Sequence, residues 1–204
     1  MNYETLASPE IIQKVMENVK PRNITPILVQ TKEEALEKLK ELIPAGSELT
    51  TGSSTTLQEI GFTDLLKSGQ HSWKNLKDVI VAEKDIEKQA LLRKQSILAD
   101  YFIASVHAIT ESGEILVASG SGSQVPSYAF SSNHVIWVVG THKIVKNLDE
   151  AFKRLHEYTW PLEDKRMKST GAPGSTIGKI LIFEKEIVPT RKITLLLVNE
   201  KLGF

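Results

Sequence analysis

The sequence predicts an α/β fold built on a mostly parallel sheet. Short runs of apolar and β-branched residues, such as Ile27–Val29 and Val135–Val139, alternate with longer segments of helical periodicity. The run that begins at Tyr101 is apolar on both faces at its start, as a strand covered on both sides must be. Strands alternating with helices in this way imply right-handed crossovers. The 204 residues are expected to form a single domain over positions 1–204, with a helical segment to about residue 22 included.

Ser8-Pro9-Glu10 supplies a cap, a proline at the first helical position and an acidic first turn. Ile11, Ile12, Val15 and Val19 follow at helical spacing. Ile27–Val29 reads as a short strand. Thr31-Lys-Glu-Glu34 is a capping box, and its helix places Ala35, Leu36, Leu39, Leu42 and Ile43 on one stripe until Pro44-Ala-Gly46 ends it. Ser47–Thr51 is the next strand, and Thr55–Lys67 the next helix, closed by Ser68-Gly69. Val79–Ala82 has strand composition, and Asp85–Leu98 reads as a helix with apolar Ile86, Ala90, Leu91, Ile97 and Leu98. Tyr101–Thr110 is expected as the central strand. A turn at Glu111–Glu114 then leads into Ile115–Ala118 as a hairpin. A short helix to Phe130, a strand at His134–Val139, a helix at Asn147–Glu157 and a closing strand at Lys192–Asn199 complete the pattern. Lys165–Lys179, rich in glycine, proline and serine, is expected as a surface loop.

Composition removes several functions. Lysine plus arginine equals aspartate plus glutamate at 25 each, so no global field favours nucleic acid or an anionic membrane. No apolar run is long enough to span lipid and no signal peptide is evident, so a cytoplasmic protein is expected. The absence of cysteine excludes thiol nucleophiles, disulfides and cysteine-ligated metal, and no resident cofactor or metal is expected.

The segment Leu49–Gly61, LTTGSSTTLQEIG, sets six hydroxyl residues and a glycine between a strand and a helix. Gly52, Ser53, Ser54, Thr55 and Thr56 would aim unpaired N–H groups and the positive end of the helix dipole at one point. In an open α/β sheet that point lies at the carboxyl ends of the strands. Thr55-x-x-Gln58 and Thr56-x-x-Glu59 also fit capping boxes that need no ligand. Gly120, Ser121, Gly122, Ser123 and Gln124 form a second glycine-rich loop with backbone donors. His107 shares a predicted strand face with Ser105 and Glu111, a pairing suited to proton transfer, although a hydrogen-bonded strand histidine is the plainer alternative. Gly113 lies in the Glu111–Glu114 turn. Lys165 and Arg166 are anion partners or an ordinary surface cluster. His134 and His142 flank an extended run and would sit roughly 25 Å apart, too far to share a metal. Gly174–Ile180 has the wrong spacing for a phosphate-binding P-loop.

Four segments together resemble the lactate-utilisation, or LUD-domain, family: GSSTTLQEIGFTDLLKSG (52–69), LADYFIASVHAITESGEILVASGSGSQV (98–125), HVIWVVGTHKIVKNLDEAF (134–152) and PTRKITLLLVNEKLGF (189–204). The resemblance implies a three-layer α/β/α sandwich like the NagB, RpiA and coenzyme A transferase group. In that group the loop after an early strand cradles a phosphate or acyl-linked ligand. It further implies a role in oxidation of lactate to pyruvate beside iron–sulfur oxidoreductase subunits, with a small anionic metabolite bound and homo-oligomer formation left open. Relatives carry a cysteine-rich segment where this chain has STGAPGSTIGK, and an asparagine–arginine pair where it has Ser123-Gln124. The expected role is therefore an accessory subunit binding a carboxylate- or phosphate-bearing metabolite. The alternatives are a stand-alone sugar-phosphate isomerase or acyl/CoA transferase using Glu111 with His107, and a non-catalytic interaction module.

Overall fold

The computed structural model describes residues 2–204. Helix α1 (Pro9–Val19) starts as its sequence dictates: the Ser8 side chain accepts from the Ile11 N–H, and Ile12, Val15 and Val19 are buried. Strand β1 (Ile24–Val29) follows a 3-10 turn. Helix α2 (Lys32–Leu42) is capped by Thr31, which accepts from the Glu34 N–H, while the Glu34 carboxylate accepts from the Gln30 N–H. Strand β2 (Glu48–Thr51) leads to α3 (Thr55–Glu59), whose cap is Ser54 rather than the threonines. The single helix expected over 55–67 is two, because Gly61 adopts φ 80° and starts α4 (Phe62–Ser68) on a new axis.

The Val79–Ala82 run is helical, not a strand. It belongs to α5 (Leu76–Ala82), capped by Asn75, and the edge position beside β2 is taken by the two-residue β3 (Lys74–Asn75). Helix α6 (Ile86–Gln95) buries none of its residues. The expected strand 101–110 is divided. Strand β4 (Tyr101–Ala104) belongs to the large sheet, whereas β5 (Ala108–Thr110) pairs with β6 (Ile115–Ser119) in a second sheet. Residues 105–107 cross between the sheets. Their three carbonyls, lost to strand pairing, are satisfied by the Tyr128 hydroxyl, the Lys143 ammonium and the Arg154 guanidinium respectively.

A π-helical turn at Ser127–Ser131 precedes β7 (His134–Gly140), and β8 (Ile144–Val145) follows after one 3-10 turn. Helix α7 (Leu148–Arg154), capped by Asn147, continues through a π-helical turn into α8 (Trp160–Ser169). The predicted loop 165–179 thus begins as helix, and Lys179 already opens β9 (Lys179–Phe183), a strand the sequence pattern did not reveal. Strand β10 (Lys192–Val198) closes the fold.

The large sheet has six strands, all parallel, in the order β1-β10-β7-β4-β2-β3; the small one runs β8-β5-β6-β9. On one face of the large sheet, α2, α3 and α4 bury Ala35, Leu39, Leu57, Phe62 and Leu66 against Ile136, Val138, Leu196 and Val198. On the other, α1 and the small sheet bury Val15, Ile109, Ile115 and Val117 against Val135, Trp137, Val139 and Leu195. The large sheet is the middle layer of an α/β/α arrangement. Helix α7 and the π-helical turn after it cover the far face of the small sheet through Ala151 and Leu155. Each of the valine, leucine, isoleucine and phenylalanine side chains among them contributes about 1.5–3 kcal/mol when fully buried. Because β2, β4 and β7 are parallel neighbours, the segments leaving their carboxyl ends converge on one rim.

Candidate functional site

At that rim lies a cavity of about 180 Å³. A cavity of roughly 150 Å³ is enough for benzene, so the space suits a small metabolite. Gly52–Thr56 enters it after β2, Ala104 at the end of β4 with Ser105–His107 after it, and Lys143 after β7. The small sheet adds Ala118, Ser119 and Gly120. Helix α8 adds Trp160, Glu163 and Arg166, and Ser175–Ile177 forms a further part of the wall. That last segment is pinned to α8: Trp160 Nε1 donates to the Ser175 carbonyl at 3.0 Å, and the Ser175 N–H donates to Asp164 at 2.8 Å.

The structure brings together much of what the sequence singled out. Gly52, Ser53, Ser54, Thr55, Thr56, His107, Gly120 and Gln124 all line the cavity. A Cβ at position 52 would strike the end of the Gln124 side chain, which would have to move aside. Ser123 instead borders a neighbouring cavity with Lys77 and Arg93, which shares the Ser53 and Gln124 wall. Ser121 and Gly122 are absorbed in their own turn, through hydrogen bonds to Ser123 and Ser119.

Glu111 and Gly113 do not join them. The division of the strand at 105–107 puts His107 at one end of β5 and Glu111 beyond the other. Glu111 pairs there with Lys14 at 2.8 Å and its carbonyl accepts from Asn18. Gly113, at φ 98°, lies against Arg22 and the Asn18 carbonyl. In the same turn, burial pushes the Glu114 carboxyl up, but hydrogen bonds from Ser112, Thr110 and its own backbone, with Arg22, outweigh it and hold the group at about 2. The turn is an anchor for α1.

The residue that sequence reasoning missed is Lys143. It is only 2% exposed, and its Nζ donates to Thr56 Oγ1 at 3.1 Å, Ser105 Oγ at 3.2 Å and the Val106 carbonyl at 3.3 Å. All three partners are neutral. Burial first, then the nearby Arg154 charge, push its pKa down to about 7, against a smaller upward pull from Glu59. Arg154 is itself fully buried. Its Nη1 donates to the His107 carbonyl at 2.6 Å and to Thr159 at 2.9 Å, while Nε and Nη2 have no partner among the described residues. Two desolvated cations without a carboxylate in contact among the described residues are therefore neighbours, and the first of them, Lys143, lines the cavity. The signal was present in the sequence: a long apolar strand ending in Gly-Thr-His-Lys puts a lysine at a carboxyl end, where ligands bind in such sheets.

His107 is held neutral. Burial, then Lys143 and Arg154, push it down to about 3, and its Nδ1 accepts from the Ala118 N–H at 3.1 Å. The proton of the neutral ring is therefore on Nε2, which makes this histidine a donor rather than a base near neutral pH. Arg166, set beside a surface cluster by its sequence context, reaches the cavity wall while paired with Glu163 at 2.7 Å. Among the described residues no group of three or more His, Cys, Asp or Glu could hold a metal ion, and no helix is long and apolar enough to cross a membrane.

A parallel α/β sheet between helical layers, with a polar cavity at its carboxyl rim, defines the class. The chain belongs to the LUD-domain family, whose model matches residues 12–197. Its fold is similar to the crystal structure of a DUF162 family protein from Deinococcus radiodurans, with a TM-score of 0.56 at 12% identity over 96% of this chain and 100% of that one. No curated protein matches it.

Proposed function

We propose that the cavity binds a small carboxylate- or phosphate-bearing metabolite, and that the protein serves lactate-type metabolism as an accessory subunit beside redox partners that hold iron–sulfur clusters. The pathway and the partners rest on the family; the ligand class rests on the site. One observation carries it: the Lys143 ammonium is desolvated, touches only neutral oxygens and lies on the wall of the cavity. A buried charge without a counter-charge is strongly disfavoured, and an anion entering the cavity would relieve it. His107 Nε2–H, Arg166 and the hydroxyls of Ser53–Thr55 are further donors on the same wall.

The alternative in which Glu111 acts as nucleophile or base finds no support, since its carboxylate faces Lys14 away from the cavity. Thermal denaturation with lactate, pyruvate and a sugar phosphate tests the proposal. A ligand at a hundredfold its Kd adds about 2.7 kcal/mol, or roughly 5–10 °C for a chain of this size. A flat response to all three would reject it.

A further inference from the structure

The same cavity contains a second arrangement, in which Lys143 takes part beside a hydroxyl that anion binding does not call on. We propose that Ser105 and Lys143 form a serine–lysine dyad, with Ser105 Oγ as nucleophile and Lys143 Nζ as its general base, acting on an acyl ester or thioester. The proposal rests on the anion-binding reading only for how an acidic acyl group is retained.

The geometry selects Ser105 from the hydroxyls around the lysine. Lys143 Nζ lies 3.2 Å from Ser105 Oγ and 3.1 Å from Thr56 Oγ1. The Thr56 proton is committed to the Leu202 carbonyl at 3.1 Å, so Thr56 can only accept from the lysine. The Ser105 hydroxyl has just the Val106 carbonyl at 3.5 Å, the limit of a hydrogen bond, and its proton is free to turn to nitrogen. A neutral Nζ has two N–H groups and one lone pair. The N–H groups go to Thr56 and the Val106 carbonyl, and the lone pair faces Ser105. Tyr128 fixes the nucleophile by donating to the Ser105 carbonyl at 2.5 Å. A lysine near neutral pH whose proton is readily lost is the state that serine–lysine chemistry needs.

The step balances without a further reagent than water. As Oγ attacks the acyl carbon, its proton passes to Nζ and the carbonyl oxygen becomes an oxyanion. The His107 Nε2–H, two residues along the same crossing segment and on the same cavity wall, is the donor placed to receive it. The oxyanion collapses, the bond to the leaving oxygen or sulfur breaks, and Nζ returns the proton to that atom. Water then attacks the Ser105 ester by the same proton path and releases the carboxylic acid, restoring the hydroxyl. The product is an anion beside a lysine that binds it when protonated, so the cavity binds its own product more tightly below neutrality.

The test is acylation by 4-nitrophenyl acetate between pH 6 and 8.5, followed by acid quench and peptide mass mapping. The expected result is an acetyl ester on Ser105, forming about tenfold faster at pH 8 than at pH 6 as Lys143 loses its proton. Ser105→Ala, which removes a single oxygen, should lower the mapped acylation of this peptide by at least about 100-fold. Lys143→Arg, which keeps a cation but cannot give up its proton, should do the same; if it fails to fold, the wild-type pH profile and Ser105→Ala decide. No ester on Ser105, an equal rate in Ser105→Ala, or a rate independent of pH overturns the dyad. Lactate and pyruvate titrations of the wild type separate the two readings. Binding without acylation removes the dyad alone, acylation without binding removes the anion site alone, and neither removes both.

Discussion

Replacing Lys143 by methionine should make the protein more stable while abolishing anion binding. The folded state lowers this lysine from its ordinary value of 10.5 to about 7. At about 1.36 kcal/mol per unit, holding the ammonium in the fold costs roughly 5 kcal/mol. The sign follows from the two end states. Above the unfolded pKa of 10.5 neither state is charged and there is no cost. As pH falls from there the unfolded chain takes up a proton that the folded one refuses, so the cost grows until pH 7 and is constant below. Methionine fills similar volume without charge but leaves the Val106 carbonyl without its donor, a loss of about 1–3 kcal/mol. The variant should therefore exceed the wild type by about 2–4 kcal/mol at pH 6, with the advantage falling by roughly 2–3 kcal/mol at pH 9. Urea denaturation of dialysed protein at pH 6, 7.5 and 9 measures this. A variant destabilised by the same amount at every pH would mean that the lysine is an ordinary tether, and the unpaired-cation reasoning would fall.

Other substitutions give contrasting expectations. Glu111→Gln should leave lactate or pyruvate binding unchanged in calorimetry and shift stability by less than about 1 kcal/mol, because it breaks only a surface pair with Lys14. Arg191→Leu should lower the urea-denaturation stability by about 3–5 kcal/mol, since it strands the buried Glu186 carboxylate and the Ser127, Tyr128, Ala129 and Ser132 carbonyls that the guanidinium serves. Gly52→Val should weaken anion binding at least about tenfold in the same calorimetry, because its side chain takes up room on the cavity wall and shifts Gln124, which lines the same wall; unchanged affinity would place the ligand elsewhere.

Much of this arrangement can be read from local pattern. Capping at Ser8 and Thr31, the apolar faces of α1 and α2, and the runs that became β1, β2, β7 and β10 are all local signals, and each formed where expected. The loop after β2 was found for the same reason: a strand, a glycine and a cap fix its place at the sheet rim. The errors arise where tertiary contacts override pattern. Val79–Ala82 has strand composition, but Asn75 caps a helix there, with Val79 and Val81 left exposed. The continuous apolarity of 101–110 conceals a change of sheet, since both halves are buried and nothing local marks the crossing. What makes the crossing tolerable is distant in sequence: Tyr128, Lys143 and Arg154 supply the donors that strand neighbours would have given. That single break moved Glu111 away from His107 and left Ser105 facing Lys143.

The ionisation of Lys143 is the most direct test, read by NMR of its labelled side chain across pH 5 to 11 with and without lactate or pyruvate. The account predicts a midpoint near 7 in the free protein, displaced upward when the anion is bound. A midpoint close to the usual lysine value of about 10.4 that no ligand moves would contradict it.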